Sequence, residues 1–209
     1  MRVIRRNVFT PIVYCAIFSA LVLGWVYFHY LKRAISPENV ISFIGYVSFA
    51  TTILWQLWDR WLWHWPLLRK ISRVPNLSGR WAGSYRRLGG ESDNRQHSYV
   101  LEIRQTFSTI CCSTYQDNGT SSAGILSEVC DFADGRVGVT FFWEGIPQAT
   151  ETCQRLKNEE YRGMTALTYS PPPGKSKRAV LEGEYFTNRE TQGVVHVERK
   201  SGKLLQRFG

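Results

Sequence analysis

Two long apolar stretches open the chain. Val8 to Leu31 runs 24 residues without an Asp, Glu, Lys or Arg, and Val40 to Trp58 runs another 19. A helix rises ~1.5 Å per residue, so the two would reach about 36 Å and about 28 Å against a hydrocarbon core of ~30 Å. The pattern predicts two transmembrane helices, about 8–31 and 40–58. A secretory signal does not fit, because the first run is too long, has no A-x-A site and is followed closely by the second run. The connector, Lys32 to Asn39, is short, so the helices are expected to form a hairpin.

Beyond residue 77 the period falls from that of a helix to two. Trp81 and Gly83 alternate with polar or small neighbours, and Tyr99, Leu101, Ile103, Gln105 and Phe107 share one face of the next strand. Thr109, Cys111, Ser113 and Tyr115 alternate on one face of a third, a mildly polar row that would suit an interior. Asp117-Asn118-Gly119 and Asp134-Gly135 are turn signals, since Asn and Gly tolerate φ > 0. Val137, Val139, Phe141 and Trp143 alternate again, residues 164–169 make another strand, and 180–188 with 193–199 make a final pair. Residues 154–161 read as one short helical turn. This spacing predicts an antiparallel β-barrel of about eight strands, whose interior is filled by side chains or holds one small ligand. The expected fold is therefore membrane-anchored and all-β. Its parts are a helical segment 1–65, a basic linker 66–76 and a barrel 77–209 that binds a ligand.

Charge orients the hairpin. Seven Lys/Arg flank its two outer ends (Arg2, Arg5, Arg6, Arg60, Arg69, Lys70, Arg73), against Lys32 and Arg33 in the connector. The positive-inside rule then places both termini and the barrel in the cytoplasm. Five of eight tryptophans lie at Trp55, Trp58, Trp61, Trp63 and Trp65, as expected of a headgroup-level anchor; a helix-packing surface is the other reading. Net charge is +9, but residues 66–209 hold 20 cationic and 15 anionic side chains. That balance suits a small anion or an anionic membrane and gives no footprint for long nucleic acid. Five cysteines without a C-x-x-C read as reduced thiols.

Catalytic constellations are missing. There is no G-x-S-x-G or H-E-x-x-H, and the Pro-rich lead-in to Gly174-Lys175-Ser176 lacks the backbone N–H groups that cradle phosphate. No His and Cys residues stand at metal-ligand spacing. The expectation is a non-enzyme with no metal and no cofactor. Binding chemistry is richer. Tyr85, Tyr115, Tyr169 and Tyr185 offer rings on which bases can stack. Thr187, Asn188, Arg189 and Thr191 form a polar strand end whose Arg can hold a phosphodiester, and Gln105-Thr106 adds a polar pair. Gly79, Trp81, Gly83, Gly183 and Arg199 are expected to be structural, with Trp81 plugging a barrel end and Arg199 stacked on it.

Taken together, these features carry a family resemblance. The N-terminal helix pair is followed by Leu77-Gly79-Trp81-Gly83, Gln105-Thr106, Leu181-Gly183-Tyr185-Phe186-Asn188-Arg189-Gly193 and Arg199. That pattern resembles the two-transmembrane, β-strand-rich effectors of cyclic-oligonucleotide-based anti-phage signalling (CBASS). The resemblance implies a cyclic dinucleotide made by a partner nucleotidyltransferase and bound by the barrel. Homo-oligomerisation in the bacterial inner membrane, disruption of its lipid and death of the infected cell would follow. The candidate ligand residues are Tyr85, Gln105, Thr106, Tyr115, Tyr185, Thr187, Asn188, Arg189 and Thr191. Two other readings stand beside it. G-x-W near the start of a barrel and a late Arg also suit a membrane-tethered, lipocalin-like carrier of a lipid or other small hydrophobe. A membrane anchor that binds protein through the barrel exterior is the third.

Overall fold

The computed structural model describes residues 9–30, 36–65, 74–88, 96–117, 119–131, 135–146, 161–172, 174 and 178–208. The described residues form two compact units. One holds the helices together with residues 74 and 106–108; the other holds the described parts of 75–105 and 109–208. Residues 154–160 of the expected helical turn, Asn118, Asp134, Cys153, most of the basic linker and the cations flanking the expected hairpin other than Arg60 lie outside the described residues.

In the helical unit, α1 (Phe9–Gly24) continues as a π-helical stretch, Trp25–Tyr30, and α2 spans Pro37–Arg60. Ser36 caps α2 by accepting from the Asn39 N–H at 3.3 Å, and Pro37 follows with φ already set for a helix. Tyr27, in the π-helical stretch, packs against Phe43 and Tyr46 of α2 at ring-centroid distances of 5.8 and 6.2 Å. Among the described residues, α2 alone is long and apolar enough to cross a membrane; the apolar helix Val13–Tyr27 is shorter.

The tryptophans divide. Trp55, Trp58 and Trp63 surround the Phe107 ring at 6.2, 5.9 and 6.4 Å, whereas Trp61 and Trp65 are exposed. Alternation groups Phe107 with Tyr99, Leu101, Ile103 and Gln105 on one face of a strand, but the strand ends at Gln105. The Phe107 N–H donates to the Asp59 carbonyl, and the Asp59 carboxylate accepts from the Ser108 N–H and the Thr106 hydroxyl. An apolar ring two residues past the end of a strand packs where neighbouring rings bury it, whatever its parity.

The second unit is a closed barrel of eight antiparallel strands in sequential order: β1 (Gly79–Leu88), β2 (Gln96–Gln105), β3 (Ile110–Gln116), β4 (Ser121–Asp131), β5 (Val137–Ile146), β6 (Arg162–Ser170), β7 (Val180–Thr187) and β8 (Gln192–Ser201). Closure by β1 on β8 leaves no exposed edge. β4 has no clean alternation because a bulge between Gly124 and Leu126 inserts one residue. Gly119 and Gly135 take φ of +80° and +81° at the two expected turns.

Directly opposed residues on neighbouring strands share a face, so register fixes the lumen. Trp81 opposes Leu101, Leu101 opposes Thr114, and Ile103 opposes Cys112. The inner row of β3 is therefore Ile110, Cys112, Thr114 and Gln116. The row Thr109, Cys111, Ser113 and Tyr115 faces outward, with Tyr115 opposite Val100. Both rows alternate equally well in sequence; the pairing with β2 decides between them. Cys111 is accordingly exposed and Cys112 buried, and both are free thiols.

Candidate functional site

The lumen has two unlike halves. At the end where the chain enters β1, Leu77, Trp81, Leu101, Ile103, Cys112, Leu181 and Val197 are fully buried against one another. Trp81 donates its indole N–H to the Leu77 carbonyl at 2.9 Å and meets Tyr169 edge-on. Arg199, opposite Trp81, donates to the carbonyls of Ser78 (2.6 Å) and Asn76 (3.4 Å). The expected stacking on Trp81 is replaced by this fastening of the strand entry. Gly79, at φ +130°, has a conformation that a side chain would strain. Gly83 and Gly183 bring backbones close, since a Cβ would strike the carbonyl oxygens of His196 and Ala166.

The opposite end is polar and aromatic. Tyr85, Tyr99, Thr114, Gln116, Ser122, Trp143, Tyr161, Thr165 and Tyr185 enclose a cavity of about 50 Å³. Tyr85 stacks on His97 (5.1 Å, 21°) and meets Tyr99 and Tyr185 edge-on at 5.9 and 5.8 Å. Its hydroxyl donates to Gln116 Oε1 at 3.2 Å. The Trp143 indole N–H donates to Thr165 Oγ1 at 2.9 Å, and the ring meets Tyr161 at 5.2 Å. Two glycines make space for these rings: a Cβ at Gly163 would strike Trp143, and one at Gly193 would strike Tyr185.

The rim is built from the β7–β8 turn. The Thr187 and Thr191 hydroxyls share a hydrogen bond of 2.6 Å, and Thr187 Oγ1 also accepts from the N–H groups of Arg189 (3.3 Å) and Thr191 (3.4 Å). Asn188 accepts from the Arg162 N–H at 3.1 Å and returns its own N–H to the Arg162 carbonyl at 2.9 Å. This fastening holds the Arg189 guanidinium 4.9 Å above the Tyr161 ring. Burial, reinforced by Cys112, pushes the Tyr99 phenol far above its ordinary range, although its hydrogen bond with Thr114 opposes the shift. Burial likewise pushes the Cys112 thiol up to about 12. The floor is therefore neutral at physiological pH, and cationic charge stands at the rim. Such a site offers planar apolar faces, neutral hydrogen-bond partners and a cation for an anion at the entrance. Among the described residues no cluster of His, Cys, Asp and Glu could hold a metal ion.

Residues 72–199 match the model of the Cap15 cyclic dinucleotide receptor domain. The chain belongs to this receptor family. The protein named CD-NTase-associated protein 15 from Staphylococcus schleiferi is 27% identical over 159 residues, which cover 76% of this chain and 80% of that protein. The resemblance to CBASS effectors drawn from the sequence is upheld at the level of the family.

Of the candidate ligand residues, the barrel brings six to one end: Tyr85, Tyr185, Thr187, Asn188, Arg189 and Thr191. Three stand elsewhere. Gln105 accepts from the Leu77 N–H (2.8 Å) and donates to the Pro75 carbonyl (3.2 Å) at the filled end. Thr106 bonds Asp59 in the helical unit. Tyr115 is on the outer wall. Sequence reasoning passed over Tyr99, Gln116, Trp143, Tyr161 and Thr165. Tyr99 and Trp143 read as ordinary strand positions, and only their register, Tyr99 opposite Gly83 and Gln116 and Trp143 opposite Gly163, reveals them.

Proposed function

We propose that the aromatic mouth binds a cyclic dinucleotide made by a partner nucleotidyltransferase, and that binding drives homo-oligomerisation and disruption of the bacterial inner membrane. The observation that carries the reading is Arg189 over Tyr161 at the rim of a ring-lined mouth, within a cyclic dinucleotide receptor domain. Bases enter between the rings and Arg189 holds a phosphodiester. Stacking contributes about 1–3 kcal/mol per base, and a charge-assisted hydrogen bond about 1.5–3 kcal/mol. Two of each exceed the ordering cost enough for micromolar to nanomolar affinity.

The resting cavity of about 50 Å³ is far below the roughly 300 Å³ at which small-molecule sites begin. The messenger therefore selects a wider mouth, and that differential affinity is what couples binding to assembly. In this reading both helices cross the membrane as a hairpin with cytoplasmic termini, and Trp61 and Trp65 sit at headgroup level. The protein acts by binding, without catalysis or cofactor. The carrier alternative needs an open apolar lumen, and the apolar half is filled by Trp81, Leu101, Leu181 and their neighbours.

The test is a thermal-shift panel of cyclic di- and trinucleotides on the full chain in detergent, with Arg189→Ala alongside. One messenger should stabilise the native chain and fail to stabilise the variant, whose own melting stays unchanged. A panel without a binder would remove the reading.

A further inference from the structure

A cyclic dinucleotide carries two phosphodiesters, set across a closed ring from each other, and each keeps a negative charge. Arg189 can hold one of them. The second needs another cation at the same mouth, and strand register supplies it. Arg87 stands two residues beyond Tyr85 on β1, and its partner on β8 is Gly193, which in turn opposes Tyr185 on β7. Directly opposed residues share a face, so Arg87 belongs to the inner row with Tyr85 and Tyr185, one step nearer the open end. It is exposed there, and among the described residues no counter-charge pairs with its guanidinium. Gly193 presents bare backbone opposite it, because a Cβ at that position would strike the Tyr185 ring. No side chain of Gly193 therefore stands between Arg87 and the rings of the mouth.

The neighbouring charges on the strands face the other way. Arg86 falls on the outer row, opposite Gln96 and Val194. Arg162 also faces outward, opposite Glu144, and pairs with it at 3.4 Å. Glu182 and Glu184 oppose His196 and Val194 and stand outside as well. Among the described residues, the inner row of the strands at this end thus carries no carboxylate to compete with an anionic ligand. β1 and β7 lie on either side of β8. Neighbouring strands are ~4.8 Å apart, which puts β1 and β7 about 10 Å apart. Two long guanidinium side chains set that far apart can close on the two edges of a dinucleotide ring.

We propose that Arg87 is the second phosphate-holding side chain of the mouth: Arg189 takes one phosphodiester and Arg87 the other, with the bases between the rings. A guanidinium meets phosphate oxygens with two parallel N–H donors, so each contact fixes orientation as well as charge. Two separated cations also select for a ligand with two phosphodiesters, because a ligand with one engages only one of them. The inference rests on the proposed function for the identity of the ligand.

The test is titration calorimetry of the full chain in detergent with cyclic di-AMP, cyclic di-GMP and cyclic GMP–AMP in turn. For a nucleotide that binds the native chain, Arg87→Ala should weaken affinity about 10- to 100-fold and leave the melting temperature of the unliganded chain unchanged. Arg87→Lys keeps the charge but loses the planar fork, so its affinity should fall between those of the native chain and Arg87→Ala. Arg86→Ala removes the same charge from the outer row one residue away and should bind as the native chain does. Equal affinity in Arg87→Ala and the native chain overturns the proposal and leaves the messenger standing. An equal loss in Arg86→Ala also overturns it, since the effect would then be one of net charge and not of an inward-facing contact. A native chain that binds none of the three nucleotides overturns both this inference and the messenger.

Discussion

At the barrel rim one cation lies over one ring, Arg189 over Tyr161 at 4.9 Å. Arg189 is exposed, so its removal should leave stability within about 0.5 kcal/mol and act on ligand affinity alone, as titration calorimetry of Arg189→Ala would show. Gly163 behaves oppositely. It lies opposite Trp143, whose ring occupies the space of a Cβ, so Gly163→Ala should cost about 1–3 kcal/mol by overpacking. Urea unfolding measures it. Cys112 gives a prediction in pH. Its thiol is raised to about 12 by burial and points to the opposite face of the strand from the exposed Cys111. The contribution of Cys112 to stability is fully present below the unfolded thiol range near pH ~8.5 and is lost as pH rises toward 12. Melting temperature should fall over that interval, less steeply in Cys112→Ala, and alkylation at pH 8 should label Cys111 well before Cys112. The opposite facing of these two thiols follows from strand alternation alone. Which of them faces inward does not, because a period of two names two faces without ranking them.

At the scale of elements, the C-terminal segment depends on one ion pair. Arg80 and Glu102 meet at 2.7 Å on the outer wall of β1 and β2, both nearly buried. Glu102 accepts from the N–H groups of Leu205 (2.8 Å) and Gln206 (3.1 Å), and Arg80 donates to the carbonyls of Arg207 and Phe208. Residues 205–208 thus cover this part of the wall. Glu102→Ala should cost about 3–5 kcal/mol, because Arg80 is left buried without its counter-charge. Changing both to apolar residues of similar volume should recover much of that loss in thermal unfolding. Nothing in the local sequence announces this strap. Arg80 and Glu102 look like ordinary outward charges, and their partners are backbone groups more than 100 residues away. Similarly, Gln105 and Thr106 form a polar pair in sequence but end up fastening the strand entry and Asp59, because the strand ends at Gln105 and the chain turns away there.

At the scale of the whole molecule, binding and stability are linked. A messenger that binds only the native state adds about 2.7 kcal/mol at one hundred times its Kd. Because the proposed messenger favours the assembled state, its stabilisation should be larger above the density at which vesicle-bound chains associate than below it. Differential scanning calorimetry at two protein-to-lipid ratios checks this, and equal stabilisation at both would count against coupling. The sequence by itself determined the apolar helices at the start, the change to a period of two, the turns and the number of strands, since these are set by contacts between near neighbours. It also supplied the Tyr185–Thr191 strand end, whose chemistry is local. Closure of the barrel decided the rest. Only pairing across strands says which row is lumen, which end is filled by Trp81 and which stays open around Trp143. Register is a property of strand pairs far apart in the chain, and no single strand contains it.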